Sequence, residues 1–190
     1  MTADLAERLA RVEAQLAIQQ LPARYAVAVD SRDLDALVEL FTPDVDCGRW
    51  GTGREALKRY YASPKVLAGF YRSVHLVCGQ AITLVDADHA TGTVYCRAGH
   101  EDGGHWVEMA ICYFDRYVRS EGRWCFERRE EKHWYSTDWQ ERPHGPHFQN
   151  WPGKYDGPRF APQLPQAWPS WERYWTALGD EARRQVTTTP

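Results

Sequence analysis

Apolar positions recur at helical spacing along the first thirty residues: Leu5, Leu9, Val12 and Leu16 step by 4, 3 and 4, and Ile18, Leu21 and Tyr25 by 3 and 4. The pattern predicts a long amphipathic helix from Asp4 to Val29. A bend or restart is expected at Pro22, which removes a helix donor and crowds the preceding turn. Ser31-Arg32-Asp33 reads as a break and an N-cap, followed by a short helix carrying Leu34, Leu37, Val38 and Phe41 that stops before Pro43. Val45 to Trp50 reads as a first strand, Gly51-Thr52-Gly53 as a turn, and Arg54 to Ala62 as a third helix. After Pro64 the texture changes to four strands, 74–85, 90–100, 107–119 and 123–135, separated by Asp86-Ala87-Asp88, Gly103-Gly104 and Glu121-Gly122. Helices first and strands after them predict an α+β fold, an antiparallel meander curved over the helices.

A chain of 190 residues, 43% hydrophobic and 26% charged, fits one compact domain. Its net charge of −3 signals no nucleic-acid surface. No apolar run approaches the roughly 20 residues of a spanning helix, and the N-terminus lacks a signal-peptide core, so no membrane partner and a soluble, cytoplasmic protein are expected. Five cysteines without a Cys-x-x-Cys pair predict buried free thiols. Nine tryptophans exceed what one small core needs, which predicts aromatics lining a cavity or an interface. Residues 1–137 form the expected domain. Residues 138–190 hold most of the prolines with Trp139, Trp151, Trp168, Trp171 and Trp175, and read as an ordered arm packed on this or a neighbouring subunit of a homodimer or homotrimer, with 182–190 frayed. His133, His144 and His147 lack metal-ligand spacing, no Gly-x-Ser-x-Gly occurs, and no glycine-rich phosphate loop follows a strand, so neither a metal nor a nucleotide cofactor is expected.

The helix end Arg24-Tyr25 to Asp30 with Arg32-Asp33 after it, the strand start Val74-His75-Leu76-Val77, the strand Asp115-Arg116-Tyr117 and Gly122-Arg123-Trp124 occur in that order. Together, over roughly residues 15 to 135, they resemble the SnoaL-like branch of the nuclear transport factor 2 superfamily. The resemblance implies a cone-shaped α+β barrel whose open end holds an apolar pocket, on which cofactor-free lyases, isomerases, hydrolases, cyclases and non-catalytic modules are all built. Relatives that expel water or hydrogen halide, such as bile acid dehydratase and hexachlorocyclohexane dehydrochlorinase, pair an Asp at the end of the first helix with a His on the sheet. Asp30 and His75 fall on those positions. By the same resemblance His100 matches a second pocket histidine of scytalone dehydratase, and a pocket arginine corresponds to Arg128 or, one step out of phase, Arg129.

The chemistry of these residue types agrees with that assignment. A carboxylate at Asp30 faces the negative end of a helix dipole and needs a compensating donor, and an Asp-held imidazole suits a general base. Period two sets His75 apart from Val74, Leu76 and Cys78, with Gly79 on its own face leaving room for a ligand. Tyr25 supplies a phenol, and Arg128 lies in phase with Trp124 and Phe126. Trp50, Tyr61, Tyr95, Arg97, Met109 and Tyr113 complete the candidate lining for a hydrophobic small-molecule substrate, aromatic or polycyclic. The expected activity is dehydratase-type elimination. The alternatives are a carbon–carbon lyase releasing formaldehyde from a lignin-derived diaryl compound, and a non-catalytic binding or assembly module.

Overall fold

The computed structural model describes residues 2–140, 163, 167 and 169–178. The helices α1 (Thr2–Ser31), α2 (Leu34–Glu39) and α3 (Arg54–Tyr61) precede β1 (Arg72–Leu84), β2 (His89–Asp102), β3 (His105–Ser120) and β4 (Arg123–Asp138), and α4 (Pro169–Leu178) follows. The strands pair antiparallel in the order β1-β2-β3-β4, the expected meander. α1 packs across β1 and β4, the two outer strands, and so lies across the mouth of the curved sheet. Trp151, Trp168, residues 182–190 and the histidines His144 and His147 lie outside the described residues. Of the arm, Gln163 donates its backbone N–H to the His133 carbonyl on β4 at 2.9 Å.

Three local expectations are corrected. Pro22 does not restart the helix, since α1 runs through it unbroken with the Pro22 side chain fully buried. Val45 to Trp50 is not a strand. Gly48 and Gly51, at φ of 57° and 101°, fold the chain through a 3-10 turn, and only Asp46 and Thr52 form a bridge. The strand-like contact falls earlier, where Phe41 bridges Phe126: the Phe126 N–H donates to the Leu40 carbonyl at 2.8 Å and the Thr42 N–H to the Phe126 carbonyl at 3.1 Å. Finally, Cys96, Cys112 and Cys125 are the buried free thiols expected, while Cys78 is exposed because it is the extra residue of a bulge between Val77 and Gly79.

The helical periodicity of α1 conceals two faces. Ala14, Ile18, Leu21 and Tyr25 are buried, whereas Leu5, Leu9, Val12 and Leu16 are exposed. At about 100° per residue the two sets project on opposite sides of the helix.

Inside the cone, alternate residues of each strand form the core: Val94, Cys96, Ala98 and His100 on β2, and Val107, Met109, Ile111, Tyr113, Asp115 and Tyr117 on β3. On β4 the alternation breaks. Arg116 pairs with Arg128 but Tyr117 pairs with Phe126, so Glu127 is an extra residue. The phase flips after Phe126, turning Arg128 out and Arg129 in. Arg129 donates from Nε and Nη2 to the two carboxylate oxygens of Asp115 at 2.9 and 2.7 Å, and Asp115 also accepts from the Tyr117 hydroxyl at 2.9 Å. The guanidinium carbon stands 4.1 to 4.4 Å from the ring centroids of Tyr113, Phe126 and Tyr25. Burial disfavours its charge, but Asp115 more than offsets this and raises its pKa. Removing one member of such a pair strands the other. Asp115→Ala should therefore cost about 3 to 5 kcal/mol in urea unfolding, and adding Arg129→Met to it should recover part of that loss.

Candidate active site

The C-terminus of α1 sets the geometry. The Arg32 N–H donates to the Val29 carbonyl at 3.2 Å and the Asp33 N–H to the Ala28 carbonyl at 2.9 Å, with Arg32 at φ of 60°. This is a helix stop of the kind that usually places glycine in the left-handed position. Arg32 holds that conformation through its side chain, which donates from Nη1 to the Val29 carbonyl at 2.7 Å and to Ser73 Oγ at 3.0 Å. Asp33 then caps α2, accepting from the Ala36 N–H at 3.0 Å.

Asp30, in the last turn of α1, faces β1. Its Oδ1 accepts from His75 Nδ1 at 2.7 Å and from the Ser73 hydroxyl at 2.8 Å, and its Oδ2 from the His75 backbone N–H at 2.8 Å. Burial works against the charge. The His75 ring and backbone together with Ser73 outweigh it and hold the carboxyl below its usual range. An ionised Asp30 against Nδ1 fixes the imidazole with its proton on Nδ1, leaving the lone pair on Nε2, the side of the ring away from Asp30.

Around the dyad stand Tyr25 and His100, with ring centroids 6.5 and 5.7 Å from that of His75. The Tyr25 and Tyr61 hydroxyls are 3.1 Å apart. Burial raises the pKa of Tyr25, Tyr61 and Tyr113 well above the usual value, so all three remain phenols able to donate. Burial first, and then the charge of His75, push His100 down to about 4, so it is neutral at physiological pH. It lies 4.7 Å from the Phe70 ring rather than in solvent. Tyr113 Oη and Arg129 Nη1 are buried without a hydrogen-bond partner among the described residues.

The structure thus brings together Asp30, His75, Tyr25, His100, Tyr61 and Tyr113, with Met109 buried in the inward row of β3. Arg128 is corrected to Arg129: Arg128 is 59% exposed and pairs with Glu130 at 3.7 Å. Tyr95 and Arg97 occupy the outward positions of β2, beside Trp134 and Glu108 respectively, because the inward row takes the even-numbered residues. Trp50 is held by its turn against Tyr60, 6.0 Å between centroids, and is not joined to the dyad.

Sequence reasoning missed Ser73, Arg32 and a second acid–base pair. Glu131 Oε1 lies 2.7 Å from His133 Nε2, and Glu131 is in register with Tyr113 on the inward side. Burial raises its pKa, but His133 first, and then the charges of His75 and His100, bring it below the usual carboxylate range. Glu131 is flanked by His133, yet 34% of its side-chain surface is open, so a small molecule can reach it. The signal available was the bulge: once Arg129 points inward, so do 131 and 133. A groove of about 290 Å³ lies elsewhere, between α1 and the β3–β4 turn, lined by Glu13, Arg24, Glu39, Arg119, Arg123 and Trp124. Its mixed charges include none of the dyad.

The domain and the fold have counterparts among known proteins. Residues 10–130 match the SnoaL-like domain model. An uncharacterized protein of Mycobacterium tuberculosis is 32% identical over 130 residues, covering 65% of this chain and 87% of that protein. A crystal structure of hexachlorocyclohexane dehydrochlorinase (LinA) type 2 superposes with a TM-score of 0.59 at 25% identity, covering 77% of this chain and 99% of the other. An NTF2-like protein with a cystatin-like fold from Novosphingobium aromaticivorans gives 0.57 at 25% identity, covering 68% and 87%. With a four-stranded antiparallel sheet closed by α1 and the domain matched over most of the chain, this protein belongs to the SnoaL-like family of the NTF2-like superfamily.

Proposed function

We propose that the chain is a cofactor-free lyase that removes a proton next to an activating group and expels water from a hydrophobic, aryl- or ring-bearing small molecule. The observation that carries this reading is the His75–Asp30 contact of 2.7 Å, with both carboxylate oxygens satisfied by fixed donors. In the proposed step His75 Nε2 takes the proton, Asp30 stabilises the imidazolium that forms without taking the proton itself, and the imidazolium passes that proton to the departing hydroxyl, which leaves as water. Tyr113 Oη and Arg129 Nη1 are the donors available to a substrate oxygen that gains charge. His100, neutral, serves as a polar wall rather than as a second base. The dehydrochlorinase similarity supports proton abstraction with loss of a β leaving group.

A second reading has its own observation. Glu131 is an ionised carboxylate inside the cone that elimination leaves without a step. As a base on a substrate hydroxyl it would break a carbon–carbon bond, releasing formaldehyde from a hydroxymethyl group, and the carboxyl group so formed would return the same proton to the carbanion.

A screen of aryl, steroid and polyketide alcohols with mass analysis separates the two: loss of water supports elimination and release of formaldehyde the cleavage. On the substrate so found, His75→Ala and Asp30→Asn should each lower kcat by at least about a hundredfold with circular dichroism unchanged. Near-parental rates in both would overturn the dyad, and binding of the screened compounds without turnover would favour a ligand-binding module. His100 gives a pH signature. Its folded pKa of about 4 lies below the unfolded value of about 6.5, so the unfolded chain binds the extra proton between them and stability rises with pH across that window. The gain is about 3 kcal/mol, present above pH 6.5 and lost as pH falls toward 4. Urea unfolding of wild type and His100→Asn should differ by that slope.

A further inference from the structure

The first half of α1 carries an apolar row that the fold does not use. Leu5, Leu9, Val12 and Leu16 are 64%, 55%, 51% and 57% exposed, on the side of the helix opposite the buried Ala14, Ile18, Leu21 and Tyr25. Their 4-3-4 spacing is the core spacing of a coiled coil rather than the broader stripe of a helix lying on a sheet. We propose that this seam pairs with the same seam of a second copy of this chain, the two α1 helices running parallel.

Three observations select that occupant and orientation. With Leu5 and Val12 at d and Leu9 and Leu16 at a, Arg8 falls at g and Glu13 at the e position five residues later. In a parallel pair, g of one helix faces the e position five residues on in the other, so Arg8 meets Glu13 of the second copy twice, once on each side. In an antiparallel pair g faces g and e faces e, which sets Arg8 against Arg8 and Glu13 against Glu13. Neither residue has an ion-pair partner within the described part of its own chain. The next core position, Gln19, is polar and ends the apolar seam, and a polar core residue fixes register. The body of the protein allows the pairing as well. The sheet is packed on the face of α1 turned away from the seam, so two parallel copies carry their cones on opposite outer sides of the helix pair. Each candidate active site therefore remains complete within its own chain.

Light scattering on the full-length protein after gel filtration tests this. Wild type is expected at twice the 22.0 kDa chain mass, and Leu9→Glu/Leu16→Glu at half the wild-type mass with unchanged circular dichroism, since neither side chain is in the core. Arg8→Glu alone and Glu13→Arg alone should each weaken self-association by about tenfold or more, and an equimolar mixture of the two variants should restore it, because each then offers the other its missing charge. A wild-type mass of 22.0 kDa at micromolar concentration, or an unchanged mass for the double leucine variant, overturns the proposal. A monomeric wild type whose leucine variant only melts earlier would show that the chain's own C-terminal segment covers the seam. A mixture that stays as weakly associated as its components would overturn the parallel arrangement.

Discussion

A guanidinium inside a protein must be met by a carboxylate at close range, and the interior of this cone is arranged around one that is. Arg129 and Asp115 neutralise each other across β3 and β4, and the aromatic faces of Tyr25, Tyr113 and Phe126 close over the cation. Tyr25 belongs to α1, so the cation–π contact also fixes the depth at which the helix sits in the sheet. From that ring the order passes on to Tyr61 through a hydroxyl contact and to His75 through an edge-on approach. The pair exists because β4 carries one residue more than β3 at Glu127. That irregularity sets a fixed ion pair into an otherwise largely apolar wall.

The opposite wall handles charge in a different way. A carboxylate in the last turn of a helix is repelled by the carbonyl end of that helix, and Asp30 is kept ionised there only by donors from β1. Arg32 ties the same strand to the helix terminus and accepts a backbone conformation that most side chains avoid. The helix stop and the dyad are therefore one construction.

Much of this was legible in the sequence. The order of helices and strands, the meander, and the partnership of Asp30 with His75 follow from periodicity, turn residues and family resemblance. What failed did so where periodicity is interrupted. A bulge leaves no mark on an alternating pattern, so the phase that assigned Arg128 to the pocket was carried one residue too far, and Glu131 with His133 went unnoticed behind it. Tyr95 and Arg97 were placed by residue type, whereas the face is decided by strand parity, and parity puts them outside. On α1 two stripes with compatible spacing read as one, because each alone satisfies the helical period. Glycine geometry at 48 and 51 overrode the strand propensity of Val45 and Trp50.

One contact of Asp30 reaches beyond chemistry. β1 is an outer strand, and the His75 amide that points away from β2 is met by Asp30 Oδ2. The side chain that orients the imidazole thus also shields a sheet margin that would otherwise be open to another strand. A lineage drifting toward a different use of the cone could not discard this carboxylate freely, since the replacement must still offer an acceptor to that amide. Asparagine and glutamate meet the requirement in principle, whereas an aliphatic residue does not. The substitutions open to this position are narrowed by a requirement of the sheet margin that is independent of any ligand in the cone.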